Sequence, residues 1–285
     1  MDPHVYNHSP SREQRDDLPL LLQAAETGDL VTVTRLLTST GKQSIGLNCQ
    51  DETGATALSH AARMGRTEVV KYLLSWPDIS VNCADDSGWT PLSWSARYGD
   101  HDVVQLLLAH PQTAADGTDK SGMTPLMFAS RKGHAETVRR LLDSNRVDIN
   151  LRDNDGRTAL SYAAENDWAC DVVMLLLRDP TVEVDAKDHS GCSPLFWAAQ
   201  GGAATNVRTL LRCPGVDPDS MDCEHRSPLY WAVYMAALDV VVLLLGNDRV
   251  NPEAATVFGE TPVMLAELTG REHILHLLRE KIDRR

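Results

Sequence analysis

Apolar positions along this chain fall into two alternating patterns, each with helical spacing. The first is a short phrase of Ala, Leu and aromatic residues introduced by a hydroxyl side chain, as in TALSHAA (56–62), TPLSWSA (90–96) and SPLFWAA (193–199). The second is a stripe at i, i+1, i+4 and i+5. It reads Val69, Val70, Leu73, Leu74, then Val103, Val104, Leu107, Leu108, and later Val172, Val173, Leu176, Leu177. A stripe of this kind covers one side of a helix and leaves the other polar. The pattern therefore predicts pairs of short helices, one phrase and one stripe to each pair.

Punctuation places the helix ends. Thr56, Thr90, Thr124, Thr158, Ser193, Ser227 and Thr261 carry hydroxyls suited to capping the first N–H groups of a helix. Pro91, Pro125, Pro194, Pro228 and Pro262 follow at the first helical position, where a missing N–H is harmless. Small pairs such as Ala61-Ala62, Ala163-Ala164 and Ala198-Ala199 allow close helix approach, and Gly65, Gly99 and Gly133 end the first helix. Pro77, Pro111, Pro180 and Pro214 stop the second helix. A turn-rich Asp-x-x-Gly segment then leads into the next pair.

The unit is periodic. The turn residues Gly54, Gly88, Gly122, Gly156, Gly191, His225 and Gly259 are separated by 34, 34, 34, 35, 34 and 34 residues. A degenerate earlier copy, LPLLLQAAETGDLVTVTRLL, starts at Leu18. Eight units result, near 18–50, 51–84, 85–118, 119–152, 153–187, 188–221, 222–255 and 256–285. They form a single domain over 18–285, preceded by a flexible tail over 1–17. No unit can bury its stripe alone, so neighbours must stack.

The TPLxxAAxxG…VVxxLL phrase resembles the ankyrin repeat family over more than nine-tenths of the chain, and its wording is similar to that of fungal arrays with this period. The resemblance implies an all-α solenoid of stacked helix-turn-helix units with projecting turn fingers. It also implies a concave protein-binding surface and no catalytic role. A place in a fungal pathway, for instance beside a metabolite gene cluster, is an alternative setting that the same resemblance suggests.

Four departures from the pattern stand out. The first unit runs long through TSTGKQSIG (38–46) and reads as an N-terminal cap. An extra residue lies in ENDWACDVV (165–173), where Asp167 replaces the usual glycine. His225 stands at a turn-glycine position, which strains the backbone if that site needs a positive φ. The closing LLREKIDRR suits a C-terminal cap.

Charge narrows the function. The net charge of −13 argues against nucleic-acid and anionic-membrane partners. No apolar run is long enough to span a bilayer, and the first seventeen residues have no leader-like apolar core. The expectation is a monomer in the cytosol or nucleus with reduced thiols.

Candidate chemistry is thin. The six cysteines form no CxxC, no HExxH, P-loop or nucleophile elbow occurs, and no metal or cofactor is expected. Cys49 and Cys83 share a repeat slot, but Leu151 and Ala186 hold it elsewhere, as a small half-buried position does. His60, Trp94, Phe128, Tyr162, Trp197 and Trp231 share another slot, read as packing between units. An enzyme reading would need a groove around His189, Cys192, Cys223 and Glu224.

Recognition positions in the resembled family follow the turn glycine and the small pair. Carried onto this chain they are Arg63, Trp89, Arg97, Tyr98, Met123, Arg131, Lys132 and Arg157. Arg, Trp and Tyr are the residue types that dominate interface energetics. Arg63, Arg97 and Arg131 should repeat at about the 8–10 Å of packed helices, roughly every third residue of an extended strand. An acidic or phosphorylated partner segment fits that spacing. The opposing reading is a merely solvated basic face.

Overall fold

The computed structural model describes residues 12–38 and 46–284. They divide into two compact units, one ending at Lys120 and one beginning at Ser121. Among the described residues there are sixteen α-helices and no strand, with one isolated bridge between Gln50 and Thr56. The fold class is all-α.

The first unit holds three helix pairs: α1 (Arg12–Thr27) with α2 (Leu30–Thr38), α3 (Ala57–Arg63) with α4 (Thr67–Leu74), and α5 (Pro91–Tyr98) with α6 (His101–Ala109). First helices stack on first helices, α1 on α3 on α5, and second helices on second, α2 on α4 on α6. Of the segment 1–17, residues 1–11 lie outside the described residues and 12–17 belong to α1, so the helix starts earlier than the tail boundary expected. Residues 39–45 of the long first connection also lie outside them.

The second unit holds five pairs: α7 (Pro125–Arg131) with α8 (Ala135–Asp143), α9 (Ala159–Ala164) with α10 (Cys170–Leu176), α11 (Pro194–Gln200) with α12 (Ala204–Leu210), α13 (Pro228–Tyr234) with α14 (Leu238–Leu245), and α15 (Pro262–Leu268) with α16 (Glu272–Asp283). The same two-row stacking runs from α7 to α15 and from α8 to α16.

The caps are where the hydroxyls put them. Oγ of each of the seven capping residues from Thr56 to Thr261 accepts the backbone N–H three residues on, at 3.2–3.3 Å. The stripe varies in width: in α4 Val69, Val70 and Leu73 are at most 1 % exposed while Leu74 is half-buried, and in α6 all four of Val103, Val104, Leu107 and Leu108 are buried. The first three stripe residues supply most of the hydrophobic stabilisation, about 1.5–3 kcal/mol for each fully buried side chain.

Asparagines, unremarked in the sequence, tie successive units together. Asn48 Nδ2 donates to the Asp78 carbonyl at 2.8 Å while Asn48 Oδ1 accepts the Ser80 N–H at 2.8 Å. Asn82 repeats this with Gln112 and Ala114, and Asn150 with Thr181 and Glu183.

The extra residue of the fifth repeat is absorbed by a 3-10 turn, Asp167–Ala169, between α9 and α10. Asp167 then caps the next repeat, accepting the N–H groups of Thr205 (3.0 Å) and Asn206 (3.2 Å). The buried Asn206 donates back to the Ala164 and Asn166 carbonyls at 3.0 and 2.9 Å. The rearranged chain brings the Glu165 carbonyl against Gly201, where a Cβ would lie 1.8 Å from that oxygen. His225 does adopt a left-handed backbone, φ +59°, and so does Ala236, φ +56°.

Candidate functional site

Five of the fingers are organised by a buried or half-buried aspartate. In Asp51, Asp85, Asp153, Asp188 and Asp222, Oδ1 accepts two backbone N–H groups, from residues i+2 and i+4, at 2.8–3.0 Å. The i+4 residue is the one after the turn glycine, so each such recognition position is anchored through its own N–H. In the last repeat Thr256 Oγ1 performs this task more loosely, at 3.2 and 3.3 Å.

The second carboxylate oxygen reaches nine residues on, to the aromatic slot of the first helix. Trp94 Nε1 donates to Asp85 Oδ2 and Trp197 Nε1 to Asp188 Oδ2, both at 3.0 Å, and the Tyr162 hydroxyl donates to Asp153 Oδ2 at 2.5 Å. His60 Nε2 lies 2.8 Å from Asp51 Oδ2. Burial opposes ionisation of Asp51, but hydrogen bonds from Thr53, His60 and Ala55 prevail and bring its pKa down to about 2. The carboxylate is therefore an acceptor only and His60 the donor. Burial first, then the bond to Asp153, pushes the Tyr162 phenol well above its ordinary range. The aromatic slot thus fixes the finger to the helix as well as packing. Its sequence signal was available: Asp three residues before the turn glycine, with His, Trp or Tyr nine residues after the Asp.

The predicted recognition residues fall into distinct settings. In the first unit, Trp89 lies 4.4 Å from Trp94 between ring centroids, and Trp94 stacks on Tyr98 at 6.1 Å. The Arg63 guanidinium sits 5.5 Å above Trp94 and that of Arg97 5.0 Å above Trp89. Tyr98 is exposed, and Arg63 also pairs with Glu26 at 3.2 Å. The result is a basic, aromatic patch on α3, α5 and the finger between them.

In the second unit Arg131 and Lys132 are exposed, and among the described residues no carboxylate lies within 4.0 Å of either. Arg157 is different. Its side chain is 13 % exposed, lies 4.1 Å above Tyr162 and 3.8 Å above Trp197, and is paired with Glu165 at 2.8 Å. Met123 is buried. These two positions contribute to the frame more than to the accessible face.

Of the two thiols in the groove that an enzyme reading would need, Cys192 is buried and Cys223 exposed. Burial first, then the charges of Asp188 and Asp222, raises the Cys192 pKa to about 12, so it stays protonated at neutral pH. Among the described residues no cluster of three metal-ligating side chains occurs, and no helix is long and apolar enough to cross a membrane.

The family described as "Ankyrin repeats (3 copies)" matches residues 21–116, 111–188, 169–255 and 195–285. The chain belongs to the ankyrin repeat family. Among solved structures it is similar to the crystal structure of the ankyrin repeat domain of Bcl-3, described as a unique member of the IkappaB protein family. That likeness has a TM-score of 0.66 and 26 % identity, covering 80 % of this chain and 100 % of the other. No curated protein matches at the sequence level. Ankyrin repeat domains are protein-binding modules and are typically non-catalytic. Of the two sets of recognition positions, the finger carboxylates anchor the residue after the turn, at Ala55, Trp89, Arg157, Cys192 and Arg226.

Proposed function

We propose that this ankyrin repeat domain is a protein–protein interaction scaffold that takes an acidic or phosphorylated segment of its partner on the face of its first helices. The observation that carries this reading is Arg131-Lys132, an exposed basic pair with no carboxylate within 4.0 Å among the described residues, on a chain of net charge −13. The Arg97 guanidinium, 5.0 Å above the Trp89 ring, is a second place where a cation lies over an aromatic ring at a recognition position.

Fluorescence anisotropy with a labelled Glu- and Asp-rich peptide and its phosphoserine counterpart tests the proposal. Exposed charge pairs contribute about 0.2–1 kcal/mol each and desolvated ones about 2–5. Reversing both charges, Arg131→Glu with Lys132→Glu, is therefore expected to raise Kd at least roughly tenfold, repulsion included. Arg284→Glu, at the far end of α16, leaves binding unchanged. Equal binding by the double variant and the wild type, or no binding of either peptide to the wild type, overturns the proposal.

A further inference from the structure

The slot after the turn glycine changes sign at the end of the chain: Arg226 in the seventh repeat is followed by Glu260 in the eighth. Between these two fingers and α13 lies a cleft of about 370 Å³, lined by Glu224, Arg226, Trp231, Tyr234, Phe258 and Glu260 among others. Phe258 and Tyr234 are 78 % and 52 % exposed, an unusual placement for two large rings on one small surface.

The acids of the cleft are only partly neutralised. Arg226 is paired with two of the acids, Nε with Asp222 Oδ2 at 2.7 Å and Nη1 with Glu224 Oε2 at 2.9 Å, and its guanidinium lies 4.8 Å above Trp231. Glu224 and Glu260 of the lining, together with the buried Asp222 that Arg226 contacts, stand against one arginine and leave a local charge of −2. Glu260 accepts the Tyr230 hydroxyl at 2.9 Å, and among the described residues no cationic group lies within 4.0 Å of it. Burial first, then Glu260, raises the Tyr230 pKa to about 12, consistent with a negative local field.

The seventh repeat also shows how a cation is held here. Because Arg226 occupies Asp222 Oδ2, the Trp231 indole N–H lacks the acceptor that Trp94 and Trp197 have. Like Trp94 and Trp197, the ring presents a face to a guanidinium. Tyr234 packs edge-on against Trp231 at 5.3 Å, and Phe258 stands at the finger tip. Aromatic faces attract cations through their quadrupole, and a nearby carboxylate adds a directional partner. A second anion would bring the local charge to about −3, whereas one added cation leaves it near −1.

We propose that this cleft is a receptor for one basic side chain, lysine or arginine, of a protein partner, with Glu260 taking the charge and Tyr234 and Phe258 walling the stem. This goes beyond the acidic-segment reading, since it uses other residues and the opposite charge. A partner satisfying both would carry an acidic stretch and a separate basic anchor.

The test uses the full chain labelled with ¹⁵N-tryptophan, with the Trp231 indole signal assigned through Trp231→Phe. The probes are Nα-acetyl-lysine methylamide and Nα-acetyl-arginine methylamide, with the norleucine and glutamate analogues as controls. Either basic probe is expected to shift the Trp231 indole saturably with a Kd of about 1–10 mM, and neither control does so. Glu260→Gln, which keeps an acceptor for Tyr230, is expected to weaken binding roughly fivefold, and the exposed Phe258→Ala roughly threefold. No shift with either basic probe, an equal shift with norleucine or glutamate, or unchanged binding to Glu260→Gln overturns the proposal. The acidic-peptide assay is unaffected by that failure, so the two readings fail separately.

Discussion

Gly201 offers the sharpest test of how the inserted residue of the fifth repeat is accommodated. It caps α11 with an ordinary right-handed backbone, φ −73°. At such a site Gly→Ala usually stabilises by about 0.4–1 kcal/mol through the unfolded chain. Here the added Cβ would meet the Glu165 carbonyl oxygen at 1.8 Å and its carbon at 2.9 Å, both backbone atoms. Reaching van der Waals contact requires roughly 1.5 Å of extra separation. The Glu165 segment cannot yield freely, because Asn206 donates to the flanking Ala164 and Asn166 carbonyls. Overpacking against side chains costs about 1–3 kcal/mol, and a backbone obstacle belongs at the upper end of that range. Gly201→Ala is therefore expected to lose about 2–3 kcal/mol in urea unfolding followed by circular dichroism. The comparison is Gly270→Ala, where φ is +66° but nothing lies within 4 Å of the new Cβ. Strain alone, offset by unfolded-state entropy, predicts a loss of about 0.5–1 kcal/mol there. A Gly201→Ala protein as stable as the wild type, or less affected than Gly270→Ala, would refute the account.

Three further outcomes are expected. Ala236→Gly and His225→Gly should each stabilise by up to about 1 kcal/mol, because both residues hold a left-handed backbone at repeat positions where glycine is usual; a lower urea midpoint in either contradicts this. Asp51 has its folded pKa depressed to about 2, so its contribution to stability is complete above about pH 4 and is lost as pH falls through its folded value. Wild type should thus exceed Asp51→Asn in stability at pH 7 and match it near pH 2, and a gap independent of pH would count against the charge. Iodoacetamide at neutral pH should label the exposed Cys223 well before the buried Cys192, as peptide mapping would report, and the reverse order would contradict the burial and raised pKa of Cys192.

Much of the architecture was readable because each repeat states its own ends. Hydroxyl, proline, alanine pair and glycine are local signals, and the caps and the left-handed His225 follow from register alone. What escaped depended on neighbours that periodicity does not rank. Arg131 and Arg157 both looked like accessible cations, yet Glu165 and two close aromatic faces engage Arg157, while Arg131, 5.6 Å above Tyr162, stays exposed. Met123 occupies a recognition slot but is buried. The finger carboxylates were visible as turn formers, whereas the task of their second oxygen is written only in a nine-residue Asp-to-aromatic spacing that crosses from turn to helix and is passed over when each element is read by itself. The cleft beside Glu260 was missed for another reason: it depends on a sign change between two consecutive repeats, which consensus thinking averages away.

The finger carboxylate has a consequence for how such a chain can diversify. Because Oδ1 grips the backbone N–H of the residue after the turn, and not its side chain, that position tolerates Ala55, Trp89, Arg157, Cys192 and Arg226 in one conformation. Specificity can then be rewritten one letter at a time without refolding the support beneath it. Arg226 marks where this independence ends, since its side chain takes the second oxygen and leaves an indole unpaired. Grafting a new residue at position 226 should therefore change two things at once, the surface offered to a partner and the tether of Trp231, whereas the same graft at position 55 changes only the first.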